Sequence, residues 1–327
     1  MKKNLIIMLM ILPLMVLSYD VALLITGEIG GNPIYEMMVD GAKRASRDFG
    51  FNLKVVEGGY NPAKWEPSLI ALASTGSYDL IVTFTEGMPK SVEKAAKMFP
   101  KQKFALIDGI APLSENVYSL GFKDEEMAYL AGYFAGLITT SNLPGANREL
   151  KVGLISGDIY PAMIDRMKPA YEKGAKSVNQ AIEVLFSVAG SWSDPGKGSE
   201  LAQLQFSQGA DIIFLVAGGT GIGAIQKARE LKKYVIGVDS NIISIAPGVI
   251  LACVLKRADD AIYSVLKRAY EGKLPFGNYE RWGIEENVID FTLDENYFTQ
   301  FVSENIAEKM RQIFNSLKNG EIDPLEK

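Results

Sequence analysis

From Tyr19 onward the chain alternates short apolar runs with helix-patterned stretches, and it completes that series twice. This double alternation constrains the fold more than any other feature. A strand, a crossover helix and a second parallel strand cover one face of a sheet, so repeated units give a parallel sheet buried on both sides. The first series reads as strands over Tyr19–Thr26, Asn52–Val56, Tyr78–Phe84, Lys103–Ile107 and Val117–Gly121. Helices fall over Ile34–Phe49, Pro62–Thr75 and Pro89–Met98, with Gly50 and Gly76 as stops. After the helix Asp124–Leu137 and a polar loop, the second series has strands at Leu150–Ile155, Ile182–Val188, Asp211–Val216, Tyr234–Val238 and Val249–Leu255. Its helices are Ala162–Val178, Lys197–Gln208, Ile222–Leu231 and Ala258–Tyr270, followed by a strand at Val288–Leu293 and one helix over Phe298–Leu317.

The expected fold class is therefore α/β, with two Rossmann-like lobes of parallel sheet. No flexible linker separates them, so short crossovers near Phe122–Glu125, Lys256 and Lys273–Pro275 would form a hinge. This divides the chain into residues 19–124 with 256–274 as one lobe, and 125–255 with 275–327 as the other. Residues 1–18 read as a signal peptide: Lys2 and Lys3 precede an apolar run, and small residues precede a cut after Ser18. The run is shorter than the roughly 20 residues that span a bilayer. No cysteine stands at the cut to carry a lipid, so the expected location is the periplasm or the cell exterior.

Composition removes several chemistries. The 327 residues include no histidine, which excludes imidazole bases and ligands. Cys253 is the only cysteine, so a disulfide framework and a cysteine zinc site are excluded, and its apolar strand marks it as a buried side chain. A net charge of −5 argues against a nucleic-acid partner.

In open parallel sheets, ligands bind beyond the carboxyl ends of the strands, and two facing lobes would put both sets of strand ends around one cleft. Those loops hold glycines for close backbone approach, aromatic rings for a flat ligand, and polar groups suited to a polyol. The candidates are Asn32 and Tyr35 after the first strand, Tyr60 and Trp65 after the second, Glu86 after the third and Asp108 after the fourth. In the second half they are Trp192, Gly219, Thr220, Asp239 and Asn241, with Lys256 at a crossover. Ordinary turn chemistry competes with each: Asp108 and Asp239 could cap the following segments, and Trp65 could serve packing. A rival reading comes from Gly219-Thr220-Gly221-Ile222-Gly223-Ala224, which fits G-x-G-x-x-A between strand and helix, with Asp239 ending the next strand. That is the pattern of an NAD-dependent oxidoreductase. It sits late in the chain, in an exported protein with no histidine.

Several stretches together resemble the basic-membrane-protein family of ABC-transporter substrate-binding proteins, which contains bacterial purine-nucleoside receptors. They are Tyr35–Ala45 (YEMMVDGAKRA), Phe104–Gly109 (FALIDG), Glu125–Gly136 (EEMAYLAGYFAG), Gly190–Gly196 (GSWSDPG), Gln208–Gly221 (QGADIIFLVAGGTG), Ile236–Asp239 (IGVD) and Val254–Asp259 (VLKRAD). The resemblance implies a type I periplasmic-binding-protein fold, no enzymatic activity, no cofactor, and a monomer that hands a small ligand to a membrane permease. It also implies that Asp108, Asp239 and Lys256 hold sugar hydroxyls and that Asn32 stands for the asparagine of the family's Ser-Phe-Asn motif. Two positions depart from the family: Gly31 replaces that phenylalanine, and Ser240-Asn241 replaces an Asp-Gln pair. Losing a ring there opens volume. GNPIYEMMVDG, with Tyr60-Asn61-Pro62-Ala63-Lys64-Trp65, looks closer to the riboflavin-binding branch, so the resemblance places riboflavin ahead of a purine nucleoside.

Overall fold

The structure is a computed structural model that describes residues 18–293 and 296–326. The predicted signal segment, apart from Ser18, lies outside the described residues. Among the described residues, no helix is long and apolar enough to cross a membrane.

The first series forms β1 (Asp20–Ile25), α1 (Pro33–Phe49), β2 (Asn52–Glu57), α2 (Trp65–Ser74), β3 (Leu80–Phe84), α3 (Pro89–Met98), β4 (Lys103–Ile107) and β5 (Val117–Phe122). Helix α4 (Asp124–Thr139) then leads to β6 (Lys151–Ser156), α5 (Lys168–Val178), β7 (Glu183–Val188), α6 (Pro195–Ser207), β8 (Ala210–Val216), α7 (Thr220–Leu231), β9 (Tyr234–Asp239) and β10 (Ile250–Lys256). The chain ends with α8 (Ala258–Tyr270), β11 (Tyr279–Trp282), β12 (Ile289–Phe291), α9 (Asn296–Phe301) and α10 (Glu304–Lys318).

Two six-stranded sheets result, ordered β11-β5-β4-β3-β1-β2 and β12-β10-β9-β8-β6-β7. Among the described residues every strand pairing is parallel except β10 with β12. The two sheets repeat one winding, and the chain reverses direction across the sheet between β1 and β3 and between β6 and β8. Those reversals are the switch points where loops diverge and leave room for a ligand. Strands β3 and β8 are buried along their whole length, which explains their unbroken apolar runs.

The main chain crosses between lobes at Lys123, where β5 passes to α4, and at Arg257, where β10 passes to α8 packed on α1. The third crossing corrects the sequence reading. Tyr279–Trp282, assigned there to the second lobe, pairs with β5 in the first sheet, so the crossing falls after Trp282 and not at Lys273–Pro275. YERW is short, polar and half-exposed, an edge strand without an alternating apolar signal. The expected single C-terminal helix is also two, broken where Ser303 takes an extended conformation ahead of α10.

Three helix pairs touch through glycines. A β-carbon placed at Gly41 would come within 2.2 Å of the Asp259 carbonyl oxygen, one at Gly132 within 2.0 Å of Tyr171 O, and one at Gly223 within 1.7 Å of Pro195 O. At Gly221 the nearest atom would be 3.8 Å away. The crowded position is thus Gly223, a variable position of the G-x-G-x-x-A pattern, and its task is to let α7 lie on α6. This removes the local argument for a dinucleotide turn.

Candidate functional site

The strand ends that face the interlobe junction are conformationally unusual. Thr85, Asp108 and Asp239, at the carboxyl ends of β3, β4 and β9, have φ values of 95°, 58° and 68°. Aspartate tolerates the left-handed region, whereas a β-branched threonine there is strained. Such backbone persists only where its surroundings enforce it, and it recurs where side chains must be aimed at a ligand. Here it turns Asp108 and Asp239 out of their strands.

Both aspartates belong to one charged cluster. Lys256, ending β10 and almost fully buried, places Nζ 2.8 Å from Asp124 Oδ1 and 3.4 Å from Asp108 Oδ1. The same ammonium stands 4.9 Å from the centre of the Phe122 ring. Burial alone would lower its pKa, but Asp108, Asp124 and Asp239 outweigh burial and raise it well above the usual lysine value. Burial likewise raises Asp239, with Lys256 opposing and Asp124 adding to the rise. Lys256 therefore stays charged and neutralises part of a carboxylate group that can accept hydrogen bonds from hydroxyls.

Asp108 is raised to about 7, chiefly by burial; Lys256 opposes this, and Asp124, Glu86 and Asp239 reinforce it. Ionising a carboxyl whose folded-state pKa is raised costs stability. This contribution is intact below about pH 4 and is lost as pH climbs toward 7. Asp108→Asn is accordingly expected to stabilise the ligand-free protein at pH 8, by no more than about 4 kcal/mol, and to change it little at pH 4. Denaturant titration at the two pH values checks this, and equal shifts at both would contradict it.

Aromatic residues flank the cluster on both lobes. In the first, Tyr35 meets Phe84 edge-on at 5.9 Å and donates its hydroxyl to Thr26 O at 3.3 Å. Tyr35 and Tyr60 both lie against Gly27, where a β-carbon would clash with the Tyr35 ring at 2.2 Å. Burial raises the Tyr35 hydroxyl pKa, and Asp108 adds to the rise, which places this ring within electrostatic reach of the cluster. In the second lobe, Tyr160 and Trp192 have ring centres 6.0 Å apart, and Trp192 lies across Gly157. Burial raises the Tyr160 hydroxyl pKa strongly; Asp124 and Asp239, and Asp108 from the other lobe, add to the rise while Lys256 opposes it. Tyr160 is thus the link between the exposed Trp192 and the acids. The arrangement offers flat faces on either side of a hydroxyl-binding base.

The remaining candidates take other positions. Asn32 precedes α1, half-buried, with no side-chain capping bond. Trp65 donates its indole N–H to Gly59 O at 2.7 Å, and its ring fills the space beside Gly58 and Gly87, so it shapes two loops from behind. Thr220 is fully buried; its hydroxyl donates to Ser191 O and accepts from the Asp194 amide, which uses both of its roles within the loop. Gly219 stands at the start of α7 beside Trp192 O. Asn241 is exposed and its Oδ1 accepts from the Ile243 amide, a local turn. Glu86 is engaged by Arg166 at 2.9 Å. The structure brings together Tyr35, Tyr60, Glu86, Asp108, Trp192, Asp239 and Lys256. It adds Asp124, Tyr160 and Arg166, which the sequence reading left out. Asp124 looks like a favourable first-turn acid, and only its place at a crossover beside Lys256 distinguishes it. Among the described residues no group of carboxylates is arranged to hold a metal ion.

Comparison with known proteins bears on the family and the fold. Residues 19–322 match the family model Bmp, described as ABC transporter substrate-binding protein PnrA-like. The chain is 30% identical over 271 residues to the CD4+ T-cell-stimulating antigen of Listeria monocytogenes, covering 78% of this chain and 72% of that one. It is 29% identical over 239 residues to the ABC transporter nucleoside-binding protein BmpA of Lactococcus lactis, covering 68% and 66%. Among solved structures, an ABC transporter solute-binding protein from Aeropyrum pernix superposes with a TM-score of 0.83 at 25% identity, covering 94% and 93% of the two chains. One from Conexibacter woesei gives 0.69 at 21%, covering 94% and 98%.

Proposed function

The chain belongs to the Bmp family of PnrA-like ABC transporter substrate-binding proteins, and from that premise we propose that its solute is a flat heteroaromatic ring carrying a sugar or polyol. It is a solute-binding protein and not an enzyme, and what it binds is the transported molecule rather than a cofactor. The observation that carries the proposal is the Asp108–Lys256–Asp239 cluster between Tyr35 with Tyr60 on one lobe and Tyr160 with Trp192 on the other. Rings supply apolar area and stacking; the carboxylates accept hydroxyl hydrogens. A ligand touching both lobes favours closure by its differential affinity for the closed form, and release to a permease reverses it. Delivery outside the cytoplasmic membrane by a monomer completes the reading.

Two ligands have this chemistry. The printed name of the Lactococcus lactis relative supports a nucleoside. Gly31, exposed in the loop after β1, places no ring where the resembled motif has a phenylalanine, which supports the wider ring of riboflavin. Glu86, Asp108, Asp124 and Asp239 outnumber Lys256 and Arg166, which disfavours a phosphorylated form of either. Equilibrium titration with riboflavin, adenosine and inosine decides between them, together with the absorption spectrum of material released on denaturation. We expect one class to bind, its phosphate ester to bind at least about 10-fold more weakly, and Asp108→Ala to cost the ligand about 1.5–3 kcal/mol. Failure of all three to bind, or an unchanged affinity in the variant, would overturn this assignment.

A further inference from the structure

We propose that Glu86 and Arg166 form a latch between the lobes that sets how much of the ligand-free protein is closed. This rests on the reading of the chain as a two-lobed carrier. Arg166 belongs to the second lobe, in a π-helical turn, Met163–Met167, that opens into α5. Met163 and Met167 are buried and fix the turn, while Arg166 is turned toward the junction. An inserted π turn rotates the residues it carries relative to the helix that follows, and such turns recur at functional positions. Arg166 Nη2 donates to Glu86 Oε1 at 2.9 Å, and the second oxygen of Glu86 accepts the Ala162 amide at 3.3 Å. A single first-lobe carboxylate therefore holds both a guanidinium and a backbone amide near the start of a second-lobe helix. The same Nη2 also faces Asp124 Oδ2 at 3.5 Å, and Nε faces Glu125 Oε2 at 3.7 Å. Those acids sit at a crossover, where rocking moves atoms least, so they keep Arg166 aligned whether the lobes are together or apart. Glu86 lies in the body of the first lobe after β3 and its strained Thr85. Separating the lobes breaks its two bonds while Asp124 and Glu125 remain.

The pair is charge-assisted and three-quarters shielded from solvent, and it forms between two protein groups. A protein with such a contact samples the closed form before ligand arrives, which removes part of the population cost from the measured affinity. The test uses interlobe distances in the ligand-free protein, from spin labels at Lys97→Cys in α3 and Glu200→Cys in α6, both largely exposed. Glu86→Gln, Arg166→Met and the double variant are compared with the parent. We expect either single change to raise the separated fraction about five-fold, and the double variant to match the singles because both remove one interaction. Distances unchanged in all variants, or single effects that simply add, would overturn the latch. The readout needs no ligand, so a failed latch leaves the solute assignment standing, and a failed solute assignment leaves the latch.

Discussion

Lys256→Met is expected to destabilise the protein by about 3–5 kcal/mol at pH 8, the cost of breaking a buried ion pair by removing one partner. The methionine keeps most of the packing, so the loss reports charge. Lys256 is the ammonium that Asp108, Asp124 and Asp239 share, and its raised pKa means the stabilisation is fully present well below the ordinary lysine value and is lost only above it. The acids respond in the opposite direction. Without the cation the raised pKa values of Asp108 and Asp239 rise further, so at pH 5 these two take up protons and the repulsion falls. The destabilisation measured by urea titration should therefore shrink markedly between pH 8 and pH 5. An equal loss at both values would mean that the lysine acts as filler and not as the neutralising centre of the site. Ligand binding should be lost at either pH, because protonated or mutually repelling carboxylates no longer present the same acceptors to a polyol.

Gly223→Val should unfold or severely weaken the second lobe, by about 3 kcal/mol or more. The substituent would point into the Pro195 carbonyl, and backbone cannot move aside as a flexible side chain can. Separating α7 from α6 would also displace Ser193 and Trp192, whose carbonyl holds the Thr220 amide. Gly221→Ala provides the contrast. Its β-carbon has ordinary space, and alanine favours the helix, so stability should stay within about 0.5 kcal/mol of the parent or rise. Thermal unfolding of the two variants separates a packing glycine from a cofactor-binding one. If the first were harmless and the second damaging, the reading of this loop as a helix contact would be wrong.

Much of the architecture was legible because it is written in local pattern. Apolar runs such as LIVTF and ADIIFLV, short and bounded by turn residues, read as strands buried on both faces, and helix stretches between them favour parallel pairing. The two repeats of that pattern gave two lobes, and the strand-end loops gave Asp108, Asp239, Tyr35 and Trp192 as places to look. Trp65 and Thr220 share those loops, yet they point back into the protein, and loop membership carries no information about direction.

The amino-acid order by itself determined the kinds of element and the ends of the strands at which a ligand could sit, since each depends on periodicity over a few residues. Only the tertiary structure decided which charges meet. Lys256 and Asp108 are 148 positions apart, and Arg166 and Glu86 are 80 apart. An acid in a helix's first turn and an arginine on a helix surface look ordinary in any window of sequence. Their pairing arises from burial and distance, and those exist only once the two lobes have been brought face to face.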